Sequence, residues 1–274
     1  NGVRRWIYAA LIATIGIACE PEGAENNRAE YVGVNIAYAS MTELGYAAAI
    51  IKEVIDYNDY LAIESSDAEQ SVTQSAWKAL GYKSRTVNGD KHILITEATS
   101  GNNGAMTTIL LDAVGLDAGG TWTVERTGYK PYTMEISGNN GEAGRYVVRF
   151  ESITVGDGFG KEHHGTAHFD VKRNEQRYNL FIEGKISSIH RDKSEHYPLR
   201  LTTETTTPLC VNISRECFTE GSTKIVCTDQ YYHTADNVRM TILPDINEFN
   251  GRHTVEVERN GNRIEIERLF KLWR

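Results

Sequence analysis

The residues with the clearest chemical potential lie in the segment EHHGTAHFD at positions 162–170. On a β-strand, His164, His168 and Asp170 share one face, while Ala167, Phe169 and Val171 face the core. Strand residues four apart are separated by ~13 Å, so His164 and His168 cannot bind one ion together. His168 and Asp170, ~6.6 Å apart by the same rise, could supply two metal ligands if another strand supplied a third. A solvated histidine face without metal is the simpler interpretation, so we assign no metal, cofactor or catalytic residue.

Signatures of common enzymes are missing from the sequence. It contains no helical HExxH motif and no GxSxG elbow. The glycine-rich segment at 156–160 lacks the GxGxxG spacing and is typical of a loop. An enzyme is therefore the less expected class, and a metal-assisted hydrolase that uses His168 and Asp170 is the form to test.

Tyrosines in predicted turns are the candidate ligand-binding residues. Tyr231 and Tyr232 lie in a polar segment between two predicted strands, and Tyr129 lies in the turn sequence GYKPY. A tyrosine at a loop tip offers a flat apolar face and a hydroxyl group at low entropy cost, which suits a sugar or a partner surface. Packing of the same rings over the sheet edge is the ordinary alternative. The ligand stays unspecified.

Three of the four cysteines lie in the second half of the chain, at Cys210, Cys217 and Cys227. Outside the cytoplasm, one disulfide among them and one buried thiol are expected. Spacing does not choose among the three pairings. None forms a CxxC pair, which argues against a zinc knuckle or a thioredoxin-like motif.

The predicted secondary structure that positions these residues changes from helix to strand near residue 81. Ser40 to Glu43 matches a capping box, which predicts a helix over Met41–Ser65. A second box at Ser66 predicts another helix over Asp67–Leu80. From Lys91 onward the hydrophobic period is two, with frequent turn signals, which predicts antiparallel strands.

The strongest β signals are two hairpins, around Asn260-Gly261 and around Asn174. The first is typical of a two-residue turn, which pairs the residues equidistant from it. The same arithmetic at the second turn pairs Val171 with Tyr178.

These elements predict an α+β fold that is mainly β, with N-terminal helices packed on a large meandering antiparallel sheet of about a dozen strands. Sheets of that size curl or split, so we expect a curled half-barrel or a sandwich. The predicted division is a signal peptide at 1–18, a lipidated cysteine and tether at 19–39, a helical segment at 40–81 and an antiparallel β domain at 82–274.

The N-terminal segment predicts where the protein resides. Arg4 and Arg5 precede a 13-residue apolar run, Trp6 to Ala18. That run is shorter than the ~20 residues that cross a bilayer, and it suits a secretory signal. Small residues directly before Cys19 resemble a bacterial lipoprotein signal, which implies that Cys19 carries a diacylglycerol group. The alternatives are ordinary cleavage after Ala18, which would give a soluble secreted protein, and a buried helix.

The layout of the whole chain resembles uncharacterised lipoproteins of Bacteroidota. The acidic stretch EPEGAENNRAE at 20–30 is similar to their export tags, and the strands from Cys217 to the end are similar to their Thr/Val-rich tails. The second late cysteine of those tails is missing. The resemblance implies a location and an architecture: a lipid-anchored protein of the outer membrane, periplasmic or surface-exposed. The anchor, the tether and a β scaffold without a recognisable catalytic constellation favour a binding or accessory structural role, with an envelope protein or glycan as partner.

A carrier of a lipid or other apolar ligand is the alternative function. An N-terminal helix followed by an antiparallel meander resembles the half-barrel of lipoprotein-localisation carriers. Charge excludes a further class: the net charge is −8 and no Lys/Arg cluster stands out, so nucleic acid is not an expected partner. The membrane is expected as a partner only through the anchor.

Overall fold

The computed structural model describes residues 32–64, 81–96, 104–139, 142–156, 162–176, 178–191, 199–229, 234–244 and 253–272. Within these ranges, one long helix, a short 3-10 helix and a sheet of 13 antiparallel strands form the fold. The predicted class, α+β and mainly β, is confirmed.

The helix α1 spans Val32–Glu64, and the 3-10 turn spans Leu116–Ala118. The strands are β1 Tyr82–Asn88, β2 Lys91–Thr96, β3 Met106–Leu110, β4 Thr121–Thr127, β5 Tyr132–Gly138, β6 Arg145–Gly156, β7 Glu162–Arg173, β8 Asn179–Arg191, β9 Leu199–Asn212, β10 Cys217–Asp229, β11 Thr234–Ile242, β12 His253–Arg259 and β13 Asn262–Arg268.

The sheet is a simple meander in which each strand pairs with its neighbours in sequence. Burial alternates along the strands, as in β4, where Trp122 and Val124 are buried and the residues beside them are exposed. One face of the sheet therefore forms the core and the other meets solvent. Because α1 contacts strands from β6 to β12, the single sheet curves around this helix as a half-barrel rather than as a sandwich.

Helix α1 lies in the concave face, and its middle part is buried on all sides. Every residue from Glu43 to Lys52 is buried, which covers nearly three turns. A helix that is hydrophobic all round is the type found inside a core. Three consecutive alanines, Ala47 to Ala49, provide small side chains where the strands approach the helix.

The helix begins at Val32, nine positions before the predicted start at Met41. Residues 32–39, which the predicted division assigned to the tether, are therefore helical. The capping-box residues have another role because both are buried in mid-helix. The Ser40 hydroxyl lies 2.7 Å from the Thr203 hydroxyl, and the Glu43 carboxylate accepts a hydrogen bond from Ser188. The predicted second helix, 67–80, lies outside the described residues.

The first predicted hairpin is confirmed and the second has a different register. Strands β12 and β13 pair as predicted around Asn260 and Gly261, whose φ angles of 52° and 79° fit a two-residue turn. In the β7–β8 hairpin, Val171 pairs with Ile182 instead of Tyr178. The side-chain oxygen of Asn174 accepts the amides of residues 178 and 179, which closes a four-residue loop.

The C-terminal segment covers one end of the curved sheet. The backbone of Phe270 accepts the amide of Phe218 at 2.9 Å, and Lys271 forms a bridge to Cys217. The Phe270 ring lies 6.1 Å from the Tyr38 ring of α1. The two termini of the described fold therefore meet near the beginning of the helix.

Candidate ligand-binding site

The two residues that could have supplied metal ligands, His168 and Asp170, are exposed on the solvent face of β7. The residues directly opposite His168 are Arg149 on β6 and Lys185 on β8. Two flanking cations repel a metal ion. Among the described residues, no three His, Cys, Asp or Glu side chains are grouped so that they could hold a metal.

Cys210, Cys217 and Cys227 are buried in the structure, and the disulfide that the sequence allowed is not formed among them. Burial raises the pKa of the Cys210 and Cys217 thiols. A raised pKa lowers the thiolate fraction, so these groups are poor nucleophiles at neutral pH.

Of the candidate tyrosines, Tyr129 lies in the described fold, whereas Tyr231 and Tyr232 lie outside it, as does Cys19. Tyr129 lies in the β4–β5 turn and is 40% exposed. It belongs to a group that we call the Lys130 cluster, which consists of Tyr46, Arg126, Tyr129 and Lys130.

Two aromatic rings flank the ammonium group of Lys130. The Lys130 Nζ atom is 5.0 Å from the centre of the Tyr46 ring and 5.2 Å from the centre of the Tyr129 ring. Both distances suit cation–π attraction. The Tyr46 hydroxyl also donates a hydrogen bond to the Lys130 carbonyl oxygen at 2.9 Å. The turn is thereby attached to helix α1.

The local backbone explains how the turn presents these groups. Lys130 has a φ of 51°, a left-handed conformation that is costly for a residue with a side chain. Gly128 has a φ of 87°, and an added Cβ there would lie 2.9 Å from the Gly104 carbonyl oxygen. A side chain at Gly128 would push the turn away from the neighbouring loop, so the close approach depends on glycine.

Arg126 reaches the same place from β4. The alternation of this strand puts Trp122, Val124 and Arg126 on the core-facing side. Because Arg126 is near the end of the strand, it is half-buried rather than enclosed. Its Nε atom is buried and has no hydrogen-bond partner in the described part of the chain.

The electrostatics of the cluster are those of two neighbouring cations. Burial lowers the pKa of Lys130, and the positive charge of Arg126 lowers it further. Burial raises the pKa of the Tyr46 hydroxyl, and Arg126 opposes that rise. Glu53 of α1 supplies a negative charge that acts on Tyr46.

A hollow of about 400 Å³ lies elsewhere, on the outer face near the β12–β13 turn. Its lining includes Lys224, Arg239 and Glu258. On the neighbouring strands, Glu204 of β9 is opposite Lys224 of β10, and Glu258 of β12 is opposite Arg239 of β11. Each cation therefore has an acidic neighbour, and this surface has the compensated charge of an ordinary solvated sheet face.

A second polar group attaches the first hairpin to the end of α1. We call it the hairpin clamp, and it consists of Tyr57, Tyr60, Glu64, Arg85 and His92. Arg85 donates two hydrogen bonds of 2.9 Å to the two carboxylate oxygens of Glu64. The Tyr57 hydroxyl lies 2.7 Å from Nδ1 of the buried His92. These contacts are structural, because they attach β1 and β2 to the helix.

Sequence reasoning identified Tyr129 but missed its partners Arg126 and Tyr46. A signal for Arg126 was present in the segment TWTVERT at 121–127, where the arginine occupies the core-facing parity of an alternating strand. A charged residue at such a position needs a partner or a function. Nothing local marked Tyr46, because its role depends on how the sheet wraps the helix.

Comparison of the chain with protein-family models, with curated proteins and with solved structures found no match. Within the described ranges, no helix has both the length and the apolar character needed to cross a bilayer.

Proposed function

We propose that the protein is a lipid-anchored protein of the bacterial outer membrane that binds an envelope protein or a glycan on its surface and is not an enzyme. The position of α1 supports surface binding over the carrier that the sequence allowed. The helix occupies the concave face of the sheet, where a carrier would hold its ligand. A ligand therefore meets the turns and the outer surface.

The anchor is proposed from the N-terminal sequence. Arg4, Arg5 and the apolar run that ends at Ala18 support export, and Cys19 follows in the position of a lipidated cysteine. Val32, where α1 begins, follows Cys19 by 13 positions. A segment of that length reaches at most ~45 Å when extended, which would keep the folded part close to the membrane.

Detergent phase partitioning of the full chain tests the anchor. The wild type, produced with its signal in a bacterium that processes lipoproteins, should enter the detergent phase, and Cys19→Ser should move to the aqueous phase. Both forms should have the same circular dichroism spectrum because Cys19 precedes the helix. A wild type that stays in the aqueous phase would show cleavage after Ala18 without lipidation and would overturn the anchor.

Two further measurements test the site of action. Protease added to intact cells should cleave a surface-displayed protein, and cleavage only after lysis would assign the periplasmic face. Native mass spectrometry after mild extraction should show the chain with its own acyl groups and no other lipid. One additional lipid bound per chain would overturn surface binding and establish the carrier.

A further inference from the structure

We propose that strand β13 joins two copies of this chain, through an antiparallel pairing of the two β13 strands that is centred on Ile264. The inference goes beyond the proposed function, because it adds a second copy of the chain as a partner. It depends on three features of the described residues: an edge strand that can accept a neighbour, an apolar row that ends at this edge, and charges that complement those of an identical strand.

The edge of the sheet is the first feature. Strand β13 is the last strand, and within the described ranges β12 is the only strand that pairs with it. The pair next to the two-residue turn, Arg259 and Asn262, is hydrogen-bonded, and such pairs alternate along the hairpin. The backbone groups of Arg263, Glu265 and Glu267 therefore point away from β12, where a further strand can pair with them.

The opposite edge of the sheet, β1, has the protection that β13 lacks. A bulge between Tyr82 and Ser84 interrupts the register of β1 with β2. Arg85 of β1 points inward and binds Glu64 of the helix. Bulges and inward-pointing charges prevent edge strands from pairing with other molecules. The segment 262–267 of β13 has neither, so a contact between two β13 strands, which closes after two copies, is favoured over a head-to-tail chain.

The apolar row at this edge is the second feature. On the core-facing side of the hairpin, Ile264 is opposite Val257 and Ile266 is opposite Val255. Val257 is 2% exposed and Val255 is 0% exposed, whereas both isoleucines are only half-buried. Strand β13 thus completes the burial of β12, while its own outer side has no strand beside it within the described ranges. A second β13 would cover Ile264 with Ile264 of the other copy and remove apolar surface from water.

The charge pattern is the third feature, and it selects a second copy of this chain as the occupant. Arg263 and Glu265 flank Ile264 on the solvent-facing side of β13. In an antiparallel pair centred on Ile264, Arg263 of each copy is opposite Glu265 of the other, so two ion pairs form. Within one chain, Glu265 is opposite Glu256, and a single cation, Arg263, contacts both carboxylates. Arg263 of the second copy would supply the second cation.

The register follows from the same charges. Centring on Glu265 would place four carboxylates in one row, since Glu256 and Glu265 of each copy would lie side by side. Centring on Ile266 would place Glu265 of each copy opposite Glu267 of the other. Centring on Ile264 is the one of these three registers in which no carboxylate meets another across the junction.

Disulfide cross-linking in intact cells that produce the full chain tests the proposal. Ile264→Cys places a thiol on the twofold axis, in a non-hydrogen-bonded pair whose Cα atoms are about 4.5 Å apart, which is within disulfide range. Mild oxidation should shift most of this variant to twice the mass of the chain on a non-reducing gel. Ile266→Cys is the matched control, because Ile266 is also half-buried but its two copies would lie ~13 Å apart along the strands. This control should stay monomeric, as should the wild type.

Charge reversal, added to Ile264→Cys, tests the partner and the register. Arg263→Glu or Glu265→Arg alone puts like charges opposite each other at both contacts, so either should lower the yield of cross-linked dimer by about tenfold. Both side chains are exposed, at 55% and 61%, so both variants should keep the wild-type circular dichroism spectrum. Produced together, the two variants should restore the dimer as a mixed pair. Glu267→Arg, which would face the turn of the second copy, should leave the yield unchanged.

Each contrary result overturns this pairing. A monomeric Ile264→Cys would show that another segment of this chain, or a different protein, occupies the edge. Equal cross-linking of Ile264→Cys and Ile266→Cys would show random collision between copies. A ladder of higher oligomers would show that both edges of the sheet take part. Loss of the dimer in Glu267→Arg, or failure of the mixed pair to form, would exclude the register centred on Ile264.

Discussion

At the scale of single residues, the buried carboxylate of Glu43 links the helix to the sheet. Both of its oxygens lie within hydrogen-bond distance of the Ser188 hydroxyl on β8, at 2.7 and 2.8 Å. One turn away, Ser40 meets Thr203 on β9. Polar groups that are buried in this way fix the rotation of a helix, since a shift would separate donors from acceptors.

We expect Ser188→Ala to lower the free energy of unfolding by about 1–3 kcal/mol, because the buried Glu43 carboxylate would lose a donor. Ser187→Ala is the matched control. Its side chain is only half-buried and makes a longer contact of 3.3 Å with Thr202. That variant should change the free energy by less than ~0.5 kcal/mol. Urea unfolding measures both, and equal effects would contradict a special role for Ser188.

The same residues show what sequence reasoning could and could not reach. Ser40 and Glu43 have the spacing of a capping box, and local rules assign them to a helix start. In the structure, these two residues form hydrogen bonds with β8 and β9, more than 140 positions away in the sequence. Long-range partners of this kind leave no local signal. By contrast, the alternation that places Ala167 inside and His168 outside β7 was readable, because strand parity is a local property.

At the scale of elements, the hairpin clamp makes the attachment of β1 and β2 depend on pH. The pKa of His92 is lowered, first by burial and then by the charge of Arg85, while Glu64 and Asp90 oppose the shift. The unfolded chain therefore takes up a proton at a higher pH than the folded protein does. On acidification, this linkage lowers the free energy of unfolding once the pH falls through about 6.5, the ordinary histidine value.

We expect His92→Gln to remove this part of the pH dependence. A glutamine side chain can accept a hydrogen bond from Tyr57 and does not titrate. Urea unfolding at about pH 7.5 and about pH 5.5 measures the loss of stability on acidification, which should be smaller in the variant than in the wild type. His168→Gln, at an exposed position on β7, should retain the wild-type loss. An identical loss in wild type and His92→Gln would rule out the clamp as the sensor.

Register was predictable where the turn residues dictate it and unpredictable elsewhere. Asn260 and Gly261 adopt the positive φ angles that a two-residue turn requires, and the predicted pairing followed. At Asn174, an asparagine side chain instead accepts two loop amides and lengthens the loop, which moves the pairing of Val171 to Ile182. The sequence contained both asparagines, but only a following glycine specifies the short turn.

At the scale of the whole molecule, both ends of the described chain meet and complete the core. The sheet meanders from β1 to β13, so the last strands are far in sequence from the helix that they cover. The segment after β13 returns to the start of β10, where Lys271 bridges Cys217 and the backbone of Phe270 accepts the amide of Phe218. Phe270 is itself buried and contacts Tyr38. This closure depends on the finished sheet, and the sequence alone did not predict it.

Deletion of residues 269–274 should therefore destabilise the protein and uncover Cys217. Cys217 is 1% exposed beside this segment, and burial raises the pKa of its thiol. Loss of the Phe270 side chain removes about 1.5–3 kcal/mol of apolar burial, so the melting temperature should fall by roughly 4–10 °C. In a Cys19→Ser background, a thiol reagent should modify the truncated protein at one site within minutes and leave the full chain unmodified. Lys271→Ala keeps the backbone bridge and should leave Cys217 protected. Equal protection in the truncated protein would show that the sheet itself, and not the C-terminal segment, buries this thiol.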